Sequence, residues 1–298
     1  MFALLAAVAP TVKHTPMILQ GSNPHAAPSV SPAALIASVL GNRQLIAQMV
    51  RREIAGRYRG SMMGLAWSFF NPVFMLVVYT FVFSEIFGSR WNDRGDQGGK
   101  LQFAMILFVG MIVLGLFSEV VNRAPLLILS NVNYVKKVVF PLEVLPLVAL
   151  GAALFHTLVS LGVLVAALVF INGQLPWTAL LAPLILLPLV IMTLGFAWML
   201  ASLGVFLRDV GQTISIFTTI LMFLSPVFYP VTAVPERFRP FMMANPLTFI
   251  IEQSRDVLIW GRTPDWASLG LYTAVSLLVA WAGFAWFQKT RKGFADVL

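Results

Sequence analysis

From Val144 to Leu207 the chain runs for 64 residues without one Asp, Glu, Lys or Arg, although Arg and Lys are frequent on either side. Roughly 20 apolar residues span the hydrocarbon core of a bilayer, so this run holds two membrane passes. The turn between them reads INGQLPW, Ile171–Trp177. Ionisable side chains are costly in lipid, so other charge-free windows mark further passes. These are Gly60–Ser84, Leu101–Ser118, Val210–Pro235 and Trp266–Gln288, of 25, 18, 26 and 23 residues. A further window, Pro240–Ile251, has only 12 residues between Arg239 and Glu252, and reads as re-entrant or interfacial. The fold class is an all-α membrane protein with six transmembrane helices.

Six passes put both termini on one side, and the Lys/Arg bias between alternate loops selects that side. Thirteen of the 20 Lys and Arg fall with the termini and seven fall opposite, so the termini are expected in the cytoplasm. Five of the 12 acids lie on the richer side, which leaves 13 − 5 = +8 there and 7 − 7 = 0 outside. The whole formal excess then faces the cytoplasmic leaflet, which points to anionic lipid headgroups and not to nucleic acid. A chain that is 59% hydrophobic and 11% charged cannot cover a soluble globule with polar surface. With no cysteine there is neither disulfide nor thiolate metal site. The opening MFALLAAVAP has no preceding Lys or Arg, and a stretch rich in Pro, Ser and Ala follows it. Residues 1–40 are expected to form a disordered cytoplasmic leader and residues 41–298 the membrane domain.

Before the first span, NRQLIAQMVRREIAGRYRG places Leu45, Ile46, Met49, Val50 and Ile54 on one helical face, with Arg51 and Arg52 opposite. Arg51, Arg52 and Arg57 can reach lipid phosphates. Such a helix is either an orientation anchor or a surface that also touches a cytoplasmic partner. In the first outer loop, GDQGGKL misses a phosphate-binding loop by one glycine and by the Ser or Thr that ligates magnesium. If ATP drives this protein, another chain holds the ATP. The second inner loop, NRAPLLILSNVNYVKKVVFPLE, is longer than a connection requires. It mixes Leu126, Leu127 and Ile128 with Tyr134, Lys136 and Lys137, which reads as a helix with apolar knobs and a basic tip, either docking a partner or lying in the headgroups. Pro141 suits the first turn of the next span, with Glu143 at that helix's positive end. After the fifth span, two short helices separated by Asn245-Pro246 are expected on the outer side. In the second, Glu252, Arg255 and Asp256 share one face while Phe249, Ile250 and Val257 share another. The pair either shapes an exit in the outer leaflet or caps the bundle with ion pairs.

His156 stands alone in the third span and reads as a packed neutral residue, since Glu85, Glu119 and Glu143 all lie near span ends. No nucleophile–base pair and no metal-spaced cluster is visible, so catalysis by this chain is not expected. The spans do offer aromatic rings: Trp67, Phe69, Phe70, Phe74 and Tyr79 in the first, and Phe217, Phe223, Phe228 and Tyr229 in the fifth. Such faces can stack on sugar rings, and they also fill lipid-facing surfaces.

The basic helix leading into GLAWSFFNPVFMLVVYTFVFSEIFG, followed by VKKVVFPLEVLPL, FLRDVGQ, SPVFYP and ANPLTFIIEQSRDVL, resembles in order and spacing the permease subunit of ABC exporters for bacterial O-antigen, teichoic-acid and capsular polysaccharides. The resemblance covers residues 42–298. It implies six spans, two outer re-entrant helices after the fifth, and a homodimer enclosing the channel in the bacterial inner membrane. Each copy would pair with a separate cytoplasmic ATPase that binds ATP and magnesium, with no cofactor in this chain, and the cargo would be a polysaccharide carried on a lipid. By position, the helix around Arg51–Arg59 resembles the interface and gate helix. Asn131–Lys137 resembles the coupling helix, and Arg208-Asp209 a second inner contact. The Trp67, Phe70 and Phe74 stretch resembles the aromatic lining, and Phe217, Phe223 and Tyr229 of the fifth span are expected to line the substrate channel with it. The RDVGQ turn and GFADVL tail are closer to O-antigen and teichoic-acid exporters than to capsule exporters. Two other readings are a type-2 ABC exporter of a lipid or drug, and a membrane-embedded transferase, which would need acids or histidines grouped near one leaflet.

Overall fold

The computed structural model describes residues 30–86, 100–136 and 140–298, and among these there is no β-strand. Helix α1 (Pro32–Gly41) begins inside the stretch expected to lack structure, because the Ser31 hydroxyl oxygen caps it by accepting from the Ala34 amide at 3.2 Å. It meets α2 (Arg43–Arg57) at a bend of 64°. Helix α3 (Trp67–Tyr79) continues as a π-helical turn, Thr80–Ile86, and supplies the first span, Gly64–Phe83. Residues 87–99, which hold the GDQGG sequence, lie outside the described residues, as does Lys137.

Helix α4 (Lys100–Arg123) is the axis of the molecule: Ile106, Leu107 and Val120 have no exposed surface. A chain of short turns containing α5 (Val132–Val135) leads to α6 (Val144–Asn172). That helix stops at Gly173, whose left-handed φ of +72° lets its amide close on the Val169 carbonyl at 2.9 Å. After a 3₁₀ turn, Trp177–Leu181, comes α7 (Ala182–Phe206). The two passes expected in the charge-free run are thus α6 and the Trp177–Phe206 span, joined at INGQLPW.

The expected fifth span, Val210–Pro235, is not one helix. Helix α8 (Val210–Leu224) has 15 residues, about 22 Å of rise, and ends before Ser225-Pro226. Proline cannot continue a helix's hydrogen bonding, so the chain leaves the helix through Ser225 into a turn, closed by the Val227 amide donating to the Ser225 carbonyl at 2.7 Å, in which Ser225 and Val227 are fully buried. Non-helical backbone at membrane depth is tolerated only where protein satisfies it, and the groups that do so here are described below. Helices α9 (Arg239–Ala244) and α10 (Pro246–Leu258) follow, divided at Asn245 as the sequence implies; the Asn245 side chain accepts from the Leu247 amide at 2.9 Å. Helix α11 (Trp266–Thr290) and the short α12 (Phe294–Val297) complete the chain. Among the described residues, five helical stretches are therefore long and apolar enough to cross a membrane, and α8 is a shorter apolar sixth.

Helices α7 and α11 pack backbone to backbone. A Cβ on Gly283 would lie 2.1 Å from the Gly195 carbonyl oxygen, and one on Gly195 would lie 2.6 Å from that of Val279. In lipid, where no hydrophobic force drives helices together, small residues permitting such approach supply the packing attraction. Gly204 does the same for the inner loop, lying under Pro125, whose carbonyl oxygen would be 2.1 Å from an added Cβ.

Candidate functional site

The apolar face of α2 packs on protein and does not simply rest in headgroups: Met49 is buried, and Val50 sits over Gly151 of α6. Its polar residues are also engaged. Arg52 Nη2 donates to the Tyr134 hydroxyl at 3.1 Å. This bond holds the guanidinium proton more firmly than usual. Glu53 pairs with Arg123 at the end of α4. Arg57 reaches Glu119 at 2.5 Å and His156 Nδ1 at 2.8 Å. Of the three arginines expected at lipid phosphates, two have protein partners instead, while Arg51 is exposed.

His156 is therefore not alone. Its Nδ1 lies 2.8 Å from Arg57 Nη1 and 3.1 Å from Glu119 Oε1, and its Nε2 lies 3.2 Å from the Tyr58 hydroxyl. The tautomer protonated on Nε2 lets Arg57 donate to both Nδ1 and Glu119 while Nε2–H donates to Tyr58. The cluster lines a cavity of about 350 Å³ with Trp67, Ser68, Asn71 and Ser160. A second cavity of about 230 Å³ adjoins it, sharing Asn71, Glu119, His156 and Ser160 and adding Met75, Ile112 and Leu116. An acid and a histidine thus do group in this protein, contrary to the sequence reading. The cleft is polar toward Arg57 and apolar along α4, and its described side chains offer a carboxylate, an imidazole and hydroxyls without a thiol or metal cluster.

The inner loop is not the helix with apolar knobs that its composition suggests. It consists of 3₁₀ turns at Ala124–Leu126 and Leu129–Asn131 followed by the four residues of α5. Ile128 is fully buried and Leu127 nearly so; of the three expected knobs only Leu126 is exposed. Asn131 folds back to donate to the Leu127 carbonyl at 2.9 Å, and Lys136 is exposed at the end of α5. Tyr134 stacks on Phe140 with ring centroids 4.2 Å apart and 11° between planes. The next helix starts at Val144, not at Pro141, and the Glu143 carboxylate accepts from the Ser38 hydroxyl at 3.0 Å and from Arg291 Nη1 at 2.8 Å. Arg208 and Asp209 are exposed at the break between α7 and α8.

The aromatic residues lie largely on the protomer's surface. Trp67, Phe69, Phe70 and Phe74 on α3 and Phe217 and Phe223 on α8 are exposed, with Phe74 at 56% and Phe223 at 59%. Phe70 and Phe74 are neighbours, their centroids 6.3 Å apart. The two sets meet at their outer ends, where Phe83 stacks on Phe228 at 5.8 Å and Phe228 lies 6.3 Å from Phe223. Tyr229 is half-buried and donates to the Phe223 carbonyl at 2.5 Å, which ties the turn after Ser225 to the end of α8.

On α10 the charged residues do not share an exposed face. Arg255 is 1% exposed. It donates through Nε to the Ile106 carbonyl at 3.1 Å, through Nη2 to the Val227 carbonyl at 3.0 Å and through Nη1 to Glu252 at 2.8 Å. Glu252 is at the protein's edge and Asp256 is half-buried. The arginine reaches through the molecule, where the sequence suggested a surface ion pair, and it holds the turn after α8 against α4.

These features define a multi-pass helical membrane protein with an amphipathic helix packed along its edge, a compact loop between α4 and α6, and an exposed aromatic surface on two helices. The model for the ABC-2 type transporter family matches residues 44–259, and the chain belongs to that family. It is 31% identical over 265 residues to the O-antigen export system permease protein RfbA of Myxococcus xanthus, covering 88% of this chain and 98% of that protein. It is 26% identical over 257 residues to the protein of the same name from Klebsiella pneumoniae, covering 85% of this chain and 95% of that one. With the polysialic acid transport protein KpsM of Escherichia coli it shares 24% identity over 248 residues, covering 81% of this chain and 91% of that protein.

Proposed function

We propose that this chain is the channel-forming permease of an ATP-driven exporter that moves a polysaccharide, carried on a lipid, across a bacterial inner membrane. The observation that carries this reading is the near full-length similarity to relatives named for O-antigen export and polysialic acid transport. It works as a homodimer, with a separate cytoplasmic ATPase in two copies that binds ATP and magnesium. The exposed aromatic surfaces of α3 and α8 support a channel between copies, since a single protomer leaves those rings uncovered. The exposed Lys136 and the Arg208-Asp209 break lie on the face read as cytoplasmic, which suits docking of the ATPase.

The test compares the pair Phe70→Leu and Phe74→Leu with the pair Phe70→Tyr and Phe74→Tyr in a glycan surface-display assay. Stacking between aromatic rings is worth about 0.5–1.5 kcal/mol beyond area burial, and a contact of that order with a sugar face is lost in Leu and kept in Tyr. The Leu pair should therefore slow export while the Tyr pair retains it, with expression and ATPase recovery persisting in both. Full export by the Leu pair would mean that these rings serve only as hydrophobic surface, and the aromatic-lined polysaccharide channel would have to be abandoned.

A further inference from the structure

Among the polar ties described for α2, that of Arg52 reaches the inner loop, whereas those of Glu53 and Arg57 reach α4 and α6. The partner of Arg52, Tyr134, is held twice. Its hydroxyl accepts from Arg52 at 3.1 Å, and its ring lies flat on Phe140. Phe140 is itself anchored, because its carbonyl accepts from Arg291 Nη2 at 3.1 Å. Arg291 also holds the Glu143 carboxylate, and the Glu143 carbonyl accepts from Trp198 Nε1 at 3.0 Å. Tyr134 is thus where α2, the inner loop and the frame formed by α6, α7 and the end of α11 come together. A helix of four residues has no stability of its own, so the orientation of α5 depends on these tertiary grips.

We propose that Tyr134 is a positioning residue that locks α5 to α2 through Arg52, so that the inner loop and the interface helix move as one body during transport. The proposal rests on the reading above, in which the ATPase docks at this loop, and adds that its motion displaces the loop. A loop that swivelled on its own would absorb that displacement before it reached the membrane. Coupling along a chain of contacts must be shown by measurement and not by adjacency, which sets the experiment.

The full transporter, co-expressed with its ATPase, is assayed for glycan exported per ATP hydrolysed and for ATPase recovered in a pull-down. Tyr134→Phe keeps the stack on Phe140 and removes only the hydroxyl. Tyr134→Phe and Arg52→Ala should each lower the export ratio about fivefold, the factor carried by one hydrogen bond of ordinary strength. The double variant should fall no further. Unchanged ratios, or losses that multiply, overturn the proposal. The chain has no cysteine, so an Arg52→Cys/Tyr134→Cys pair can be bridged with a bismaleimide long enough to span the two side chains. Export that survives the bridge supports one body, and arrest of export by the bridge overturns it. The parent reading fails separately: undiminished ATPase recovery from Lys136→Glu would remove the loop from the docking surface, whatever the bridged pair does.

Discussion

Replacing Arg255 tests whether one buried guanidinium holds the non-helical part of the fifth span in place. The three acceptors named above differ in what they lose. The Ile106 carbonyl lies inside α4 and keeps its helical bond, so its loss belongs at the low end, about 1 kcal/mol. The Val227 carbonyl is in the turn after α8 with no helical partner, and a buried orphan of that kind costs about 1–3 kcal/mol. Glu252 is partly exposed and can turn to water. Against these losses stands the relief of no longer burying a charge, which offsets part of them. The carbonyl losses outweigh it because both acceptors stay buried, and Arg255→Met should destabilise by about 2 kcal/mol. Arg255→Lys should do no better, since a single ammonium cannot reach both carbonyls and remains a buried charge. The assay is thermal unfolding in detergent, paired with maleimide labelling of a Val227→Cys variant, whose thiol is unique in this cysteine-free chain. Labelling should rise when Arg255 is lost. Wild-type melting of Arg255→Met, together with a thiol at position 227 that stays protected from maleimide, would refute the reasoning.

The α7–α11 contact predicts that Gly283→Ala, whose Cβ meets backbone and not a movable side chain, lowers the unfolding midpoint more than Gly270→Ala on the same helix, where the added Cβ meets nothing within 4 Å. Equal midpoints would show that the two helices separate freely. In the cleft, Glu119→Ala and Arg57→Ala should be non-additive by about 1 kcal/mol in a double-mutant cycle, a modest value because the Arg57 side chain is 47% exposed. Strict additivity would mean that the pair is not coupled.

The spans were legible because a membrane makes charge expensive, and counting charge-free residues is then nearly a measurement of length. That argument found α3, α4, α6, α7 and α11. It reads the Val210–Pro235 window as one helix because composition cannot distinguish a helix from a helix followed by a buried turn whose Val227 carbonyl a distant arginine satisfies. Ser225-Pro226 was the available signal: a proline there restricts its predecessor to extended backbone, and the structure places Ser225 at ψ 149°. The inner loop failed in a related way. Leu127 and Ile128 read as knobs for a partner or for the headgroups because composition does not show that Gly204 leaves a bare patch of α7 on which Pro125 settles.

The charged residues were misread for a deeper reason. Treated as boundary markers, Arg57, Glu119 and Glu143 report only where lipid ends, and His156 looks isolated because its nearest ionisable neighbours are distant in sequence. Yet a membrane also raises the cost of leaving a charge unpartnered near its edge, so each marker should have been asked for its partner. The structure supplies one in each case: Arg57 with Glu119 and His156, Arg123 with Glu53, and Arg291 with Glu143. These pairs join α2 to α4, α2 to α6, and the end of α11 to the start of α6. The residues that seemed to orient the protein in its bilayer are therefore those that fasten one edge of the bundle into a single frame, and the two helices that carry the exposed aromatic surface, α3 and α8, hold no member of these three ion pairs.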